Sequence, residues 1–171
     1  MVKTPLGTRL PPSRFVKSVW KSFMAESGME PRLLGPHLRI TNATTGKVDF
    51  ELDITKDHTN RLKILHGGTI ASMVDLGGSL AVASMGLYAT GVTTDMNITY
   101  LSSGGKIGET VRGSAVCEKI GKTLAFTTVT FTNANGELAA RGSHTKYVTN
   151  AWKNNVDYTP PEGAQIADEE E

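Results

Sequence analysis

Runs of alternating or β-branched residues predict most of the secondary structure. Two alternating runs, 37–43 and 47–54, flank Thr44-Thr45-Gly46 and predict a β-hairpin. Four further β-rich runs follow at 92–101, 110–120, 123–132 and 138–148. The links Ile120-Gly121-Lys122 and Asn133-Ala134-Asn135-Gly136 look like tight hairpin turns. Consecutive hairpins predict an antiparallel sheet of about six strands.

Two other segments have helical patterns. Residues 13–27 predict a helix with Ser13 as N-cap and Gly28 at its end. Its apolar stripe consists of Phe15, Val19, Trp20 and Phe23. Residues 69–86 are apolar or small on nearly every side, which is typical of a helix buried all round. The patterns together predict an α+β fold, with the antiparallel sheet wrapped around a long central helix and a short N-terminal helix.

The length of 171 residues fits one domain with short tails. We assign the domain to 13–148, an N-terminal extension to 1–12 and a polar, acidic C-terminal tail to 149–171, which we expect to be disordered. The basic residues that precede the first acidic residue, Glu26, are Lys3, Arg9, Arg14, Lys17 and Lys21. This bias is found in mitochondrial transit peptides and also in solvated tails, so the predicted location is cytoplasmic or mitochondrial.

Composition excludes several classes of function. A net charge of +1 with 20% charged residues shows no bias toward nucleic acid or anionic membranes. The longest apolar stretch, 70–89, is interrupted by Asp75 and by serines and glycines, so no membrane span is expected. Cys117 is the only cysteine, which excludes an intramolecular disulfide, and we expect it to be a small buried packing residue. His37, His58 and His144 show no metal-ligand spacing with carboxylates or with Cys117, so no metal is expected.

Asp75 is the first candidate for chemistry. It is the only charged residue between His66 and Asp95, and it lies in the middle of a helix that should be buried. A buried carboxylate is costly unless it is paired, hydrogen-bonded or used. The alternative is that Asp75 reaches a solvent-filled groove or caps a backbone amide.

The glycines Gly67 and Gly68 precede the same helix, where N–H groups and the positive end of the helix dipole would stabilise an oxyanion. A plain loop-to-helix turn is an equally good explanation of His-Gly-Gly alone. Eight residues separate Gly67 from Asp75, or about 12 Å along a helix, too far for both to act on one carbonyl. Two chains with antiparallel helices would close that gap and form two composite sites per dimer. We expect Gly77-Gly78 to allow close backbone contact at this interface.

Several motifs, in order along 13–148, resemble the PaaI-type hotdog thioesterases. They are His58-Thr59-Asn60, Leu65-His66-Gly67-Gly68, Met73-Val74-Asp75, Asp95-Met96-Asn97-Ile98-Thr99-Tyr100, Gly121-Lys122-Thr123-Leu124-Ala125-Phe126 and His144-Thr145-Lys146. The resemblance implies the hotdog fold and hydrolysis of fatty or aromatic acyl-CoA to CoA and a carboxylic acid. CoA is then part of the substrate, and no cofactor is implied. It also implies a tetramer of two dimers.

The resemblance assigns the following roles. Gly67 would donate its backbone N–H to the thioester oxygen, the side chain of Asn60 would be a second donor, and His66 would orient the loop. The partner's Asp75 would activate water as a general base or attack directly as a nucleophile. Thr93 stands where the family has a serine that orients the water. Its extra methyl group leaves open that it is an ordinary strand threonine.

The resemblance also implies a set of substrate or CoA contacts. They are Lys56, Gly68, Tyr100, Leu101, Ser102, Ser103, Gly104, Gly105, Lys119, Ile120, Gly121, Lys122, Thr123, Leu124 and Tyr147. The loop after Tyr100 is one residue longer than in the family, so the placement of Lys106 is open. Lys119 and Lys122 could meet phosphates. Solvated hairpin lysines are the alternative.

Two other functions remain possible at this point. A hotdog dehydratase acting on hydroxyacyl thioesters would need a base aimed at the acyl α-carbon, commonly histidine, and this helix offers only Asp75. A non-catalytic acyl-CoA-binding module would bind the ester without releasing thiol. The joint presence of Asn60, Gly67 and Asp75 favours the hydrolase.

Overall fold

A six-stranded antiparallel sheet forms the frame of the computed structural model, which describes residues 11–155. Its order is β1-β2-β4-β5-β6-β3. The strands are β1 Leu38–Thr44, β2 Lys47–Asp53, β3 Val92–Tyr100, β4 Thr110–Ile120, β5 Leu124–Thr132 and β6 Leu138–Tyr147. Each lies within one or two residues of its predicted range, because strong apolar alternation and turn residues mark these strands. The predicted fold class is confirmed.

The central helix α3, Gly67–Ala83, packs against the sheet. Residues on all its sides are buried, including Met73, Val74 and Leu80 at 0% exposure. They share one core with Phe50 and Phe131, whose rings meet edge to face 6.1 Å apart. The helix starts two residues before its predicted range, so Gly67 and Gly68 form its first turn instead of preceding it.

The N-terminal helix α1 spans Pro12–Glu26 and differs in detail from its prediction. Ser13 is not the N-cap, since Pro11 occupies that position without a side-chain hydrogen bond and Pro12 starts the helix. Val16 and Val19 are fully buried, whereas Phe15, Trp20 and Phe23 are partly buried against the core. A five-residue helix, α2 Met29–Leu33, follows at once and was not predicted.

The explanation of Gly77-Gly78 by a dimer interface is wrong. A Cβ atom on Gly77 would lie 2.9 Å from the ring of Phe50 in the same chain. One on Gly78 would lie 2.0 Å from His144 Nδ1 and 2.6 Å from Thr127 Oγ1. Both glycines therefore let α3 approach its own sheet, and His144 is seated directly on the helix backbone.

The predicted C-terminal tail is also wrong in its first residues. Thr149–Asn155 form a helix, α4, with Ala151 buried in a small core beside Leu87, Ala125 and Val148. Short polar helices give little periodic signal, which is why the sequence pattern missed it. The rest of the tail, like the basic extension with its transit-peptide question, lies outside the described residues.

Composition also led to expectations about Cys117 and about membrane-spanning segments. Cys117 is half-buried between the two apolar clusters, and burial raises the pKa of its thiol to about 11, which fits a packing role. Within residues 11–155, none of the helices has the length and hydrophobicity needed to cross a bilayer.

Gly78→Ala should lower the free energy of unfolding by roughly 1–3 kcal/mol, because the new methyl group overlaps two buried side chains. Gly28→Ala is the matched control, since its Cβ would meet nothing within 4 Å. Urea unfolding of both variants measures the difference. Equal stabilities would contradict the packing described for Gly78.

Candidate active site

The first turn of α3 is held in place from two sides. His66 is the N-cap residue, and its Nδ1 accepts the N–H of Gly68 at 2.7 Å. The Tyr100 hydroxyl donates to the Gly67 carbonyl at 2.8 Å, and its ring lies 3.3 Å from where a Gly67 Cβ would be. His66 accepts the N–H groups of Gly68 and Thr69 through its side chain and its carbonyl, which leaves the Gly67 N–H to receive an oxyanion at the positive end of the helix.

A hollow of about 430 Å³ lies beside this turn. It is lined by Ile64, Leu65, Gly67, Ile70, Tyr100, Leu101, Ser102, Ser103 and Gly104. The predicted contacts from Tyr100 to Gly104 are therefore brought next to Gly67. Lys106 lies outside this lining, and its backbone and side chain turn toward the Glu109 carboxylate.

The loop that carries Asn60 is fixed by a buried histidine. The ring of His58 contacts the Thr55 N–H through Nδ1 at 2.9 Å and the Leu33 carbonyl through Nε2 at 2.6 Å. Its own carbonyl accepts the N–H of His66 at 2.9 Å. Asn60 uses its side-chain oxygen to accept the Leu62 N–H at 2.9 Å, so this contact does not use the N–H donors of its side chain.

Asp75 lies further along α3, in the lining of a second cavity of about 610 Å³. Its side chain is 51% exposed, so the groove-facing alternative describes its position. The carboxylate is also paired. Thr93 donates to Oδ1 at 2.9 Å, and His144 Nε2 lies 3.4 Å from the same oxygen. Oδ2 has neither of these contacts.

A hydrogen-bonded chain therefore joins β6, β3 and α3. His144 Nε2 lies 2.8 Å from Thr93 Oγ1. A hydroxyl has one proton, so Thr93, which donates to Asp75, must accept from His144. This assigns the ring proton to Nε2. Nδ1 is buried and has no hydrogen-bond partner within residues 11–155.

The contacts around Asp75 lower its pKa to about 2. The interaction with His144 contributes most, followed among the lowering effects by the Thr93 hydrogen bond and the charge of Lys146, while burial opposes them. Because the folded-state pKa lies below the ordinary value of 3.8, the ionised carboxylate stabilises the fold above that pH. This contribution is lost as the pH falls toward 2.

Lys146 lies in the same cavity and is only 3% exposed. Its ammonium donates to Ser79 Oγ at 2.7 Å, and Ser79 Oγ donates to the Asp75 backbone carbonyl at 2.8 Å. Burial lowers the pKa of Lys146, and the charge of Asp75 partly offsets this. The ammonium group of Lys146 is thus a buried positive charge in the same cavity as the Asp75 carboxylate.

Ser79, His144 and Lys146 were missed as site residues by the sequence analysis. For the two on β6 a signal existed, because strand alternation places His144 and Lys146 on the buried face with Gly142 and Val148. Two polar residues at inward positions are costly unless they serve a purpose. Ser79 gave no comparable signal, since serines are frequent on this helix.

The remaining predicted CoA contacts lie elsewhere. Residues Lys119 to Leu124 span the end of β4, the turn after it and the first residue of β5, where Leu124 pairs with Tyr147 and Tyr147 with Val92. Tyr100 lies at the opposite end of β3, roughly 26 Å away at about 3.3 Å per residue. Lys56 is exposed on the short helix before the Asn60 loop. Within one chain the turn between β4 and β5 and the hollow beside Gly67 therefore lie near opposite ends of β3.

Comparison with known proteins assigns a family to this arrangement. A model of the thioesterase superfamily matches residues 62–140. A protein of Schizosaccharomyces pombe that is named as an esterase is 44% identical over 137 residues, which cover 80% of this chain and 84% of that protein. Human acyl-coenzyme A thioesterase 13 is 44% identical over 120 residues, covering 70% and 84%. The crystal structure of zebrafish thioesterase superfamily member 2 matches with a TM-score of 0.70 at 41% identity, covering 77% of this chain and 94% of that one.

Lys146→Met should raise the pKa of Asp75 above about 2, because it removes a positive charge that lowers this pKa. The free energy of unfolding should change by less than about 1 kcal/mol, since the lost hydrogen bond is offset by no longer burying an ammonium. Carbon-13 NMR titration of the carboxylates, with Asp75→Asn to assign the signal, measures the pKa. Lys47→Met, at a half-exposed lysine, is the control. An unchanged Asp75 pKa would contradict the role of Lys146.

Proposed function

Since the chain belongs to the thioesterase superfamily and is a thioester hydrolase, we propose that it cleaves fatty or aromatic acyl-CoA esters to free CoA and a carboxylic acid. The observation that carries this proposal is the pair of groups on α3. A helix N-terminus at Gly67 can receive an oxyanion, and an ionised carboxylate at Asp75 lies in a cavity beside Thr93 and His144.

Gly67 and Asn60 would act on the carbonyl. The thioester oxygen accepts the backbone N–H of Gly67 and the side-chain N–H of Asn60, with His66 holding the turn through Gly68. Donors aimed at a developing oxyanion stabilise the transition state, by about 3 kcal/mol for one donor in a comparable site. This makes the carbonyl carbon open to attack by water.

Asp75 would activate that water. Its Oδ1 is occupied by Thr93 and His144, so Oδ2 is the oxygen that accepts the proton as the water oxygen bonds to the carbonyl carbon. The tetrahedral intermediate then expels the CoA thiolate, the C–S bond breaks, and the thiolate takes up a proton. Thr93 thus orients the carboxylate, and through it the water.

The low pKa of Asp75 bears on its role as a base. A carboxylate with a pKa of about 2 is ionised at neutral pH but accepts a proton weakly. Its side chain is half-exposed, so covering it with substrate and a second chain would remove water and raise the pKa toward a more effective range.

Two chains would be needed to complete a site. β3 is an edge strand, and eight of its nine residues are exposed. Edge strands that pair antiparallel with a copy of themselves form dimers with one patch on both subunits. Such pairing sets Gly67 of one chain near the partner's Asp75. It also brings the Tyr100 end of one β3 beside the turn from Lys119 to Leu124 of the other chain, so one CoA molecule could meet both groups.

The acyl group would occupy the cavity at Asp75. Its lining includes Phe23, Leu33, Leu76 and Met96, apolar side chains that suit a hydrocarbon chain or ring. Assembly of two dimers into a tetramer is part of the same proposal and follows from the family resemblance alone.

Asp75→Ala should lower turnover by roughly 100-fold or more while leaving the protein folded, because it removes the carboxylate proposed to take the proton of the water. Release of free thiol from acyl-CoA measures turnover. Asp57→Ala, at an exposed carboxylate on a surface turn, is the matched control and should keep full activity. Near wild-type turnover in Asp75→Ala would remove Asp75 from the mechanism.

Mixing two inactive chains tests the composite site. Asn60→Ala removes a carbonyl donor and Asp75→Ala removes the base, so each homodimer should be inactive. Random co-assembly makes about half the dimers mixed, each with one intact site of two, and should restore about one quarter of wild-type activity. If donor and base acted within one chain, co-expression would restore none.

A further inference from the structure

The helix α4 begins just after Val148, where the motifs shared with the thioesterase family end, and it contacts the β4–β5 turn. Three successive carbonyl groups of this turn accept hydrogen bonds from residues 148–152. The Gly121 carbonyl accepts the Trp152 indole N–H at 2.8 Å and the Thr123 carbonyl accepts the Val148 N–H at 2.8 Å. The Lys122 carbonyl accepts the Thr149 hydroxyl at 3.3 Å.

The other side of α4 is anchored independently of the turn. The Asn155 side chain donates to the Gly86 carbonyl at 3.0 Å and accepts the Tyr88 N–H at 3.2 Å. Ala151 and Trp152 pack with Val82 and other residues of the small core. The helix α4 therefore contacts the β4–β5 turn on one side and residues at and just after the end of α3 on the other.

These bonds change the electrostatic character of the turn. With three carbonyl oxygens occupied by donors, less negative partial charge faces solvent there. Lys122 is exposed on this turn and Lys119 is exposed near the end of β4, and lysine is a common point-charge partner of phosphate. A turn that is ordered before binding also loses less conformational freedom when a ligand arrives.

We propose that α4 positions the β4–β5 turn for the phosphates of the CoA portion of the substrate, with Trp152 as the main positioning residue. This proposal rests on the acyl-CoA hydrolase function proposed above. Trp152 acts through the turn and does not touch the reacting atoms, so its effect falls on recognition of the CoA portion and spares the chemical step.

Trp152→Phe tests this proposal, because it keeps an aromatic ring in the small core and removes only the indole N–H. Hydrolysis is measured with two substrates that have the same acyl group, one on CoA and one on N-acetylcysteamine, which carries no phosphate. The variant should raise KM for the CoA ester roughly threefold to tenfold, the range expected for one hydrogen bond, with kcat unchanged. KM for the small thioester should stay the same.

Two further variants identify the route of the effect. Lys153→Ala removes an exposed charge from the same helix and should change neither KM; a rise like that of Trp152→Phe would show that α4 acts through its own charge and overturn the proposal. In a Lys122→Ala background, Trp152→Phe should raise KM for the CoA ester much less than in wild type, since both act on one contact. Full additivity would overturn the proposal.

The remaining outcomes are also decisive. Equal KM changes for both substrates, or none for either, would overturn the positioning role. Binding of free CoA, measured by calorimetry, does not depend on hydrolysis and should weaken by the same factor in Trp152→Phe. If wild-type protein cleaves neither thioester, the hydrolase proposal fails, and unchanged CoA affinity in the variant would overturn the role of α4 separately.

Discussion

Close contact between α3 and the sheet at Gly78 determines where Asp75, Thr93 and His144 meet. Because Gly78 has no side chain, the ring of His144 sits against the helix backbone, and its Nε2 reaches Thr93 and Asp75. If α3 were shifted along its axis by one turn, other residues would lie at this position. The hydrogen bonds that link β6 to α3 would then not form. The packing of the core and the position of the Asp75 carboxylate therefore depend on the same contact at Gly78.

The positive charge of Lys146 and the negative charge of Asp75 lie in the same cavity. Lys146 is buried on β6 and the Asp75 carboxylate is half-exposed, and no salt bridge within residues 11–155 joins them directly. Ser79 stands between the ammonium and the helix backbone. The cation therefore favours the ionised carboxylate through space, without a direct contact to either of its oxygens.

Much of this could be predicted from the sequence. The strands and α3 follow strong periodic patterns, and the isolation of Asp75 and its spacing from Gly67 are visible without coordinates. Other features depend on which strands are neighbours. The purpose of Gly78 required knowing that β6 crosses α3 at that point, and His144 joins the site only through that crossing. α4 is short and polar, and its stability comes from contacts with distant residues.

The order of donors and acceptors from His144 through Thr93 to Asp75 also has a consequence for what happens after a proton reaches the carboxylate. A proton on Oδ1 of Asp75 could be donated to Thr93, and the proton of Thr93 to His144, without any heavy atom moving. That reversed order would require the ring proton of His144 to sit on Nδ1, which is buried against Gly78 without an acceptor in the described part of the chain. The reversed order is thus disfavoured, which favours a proton on Oδ2, the oxygen that neither Thr93 nor His144 contacts.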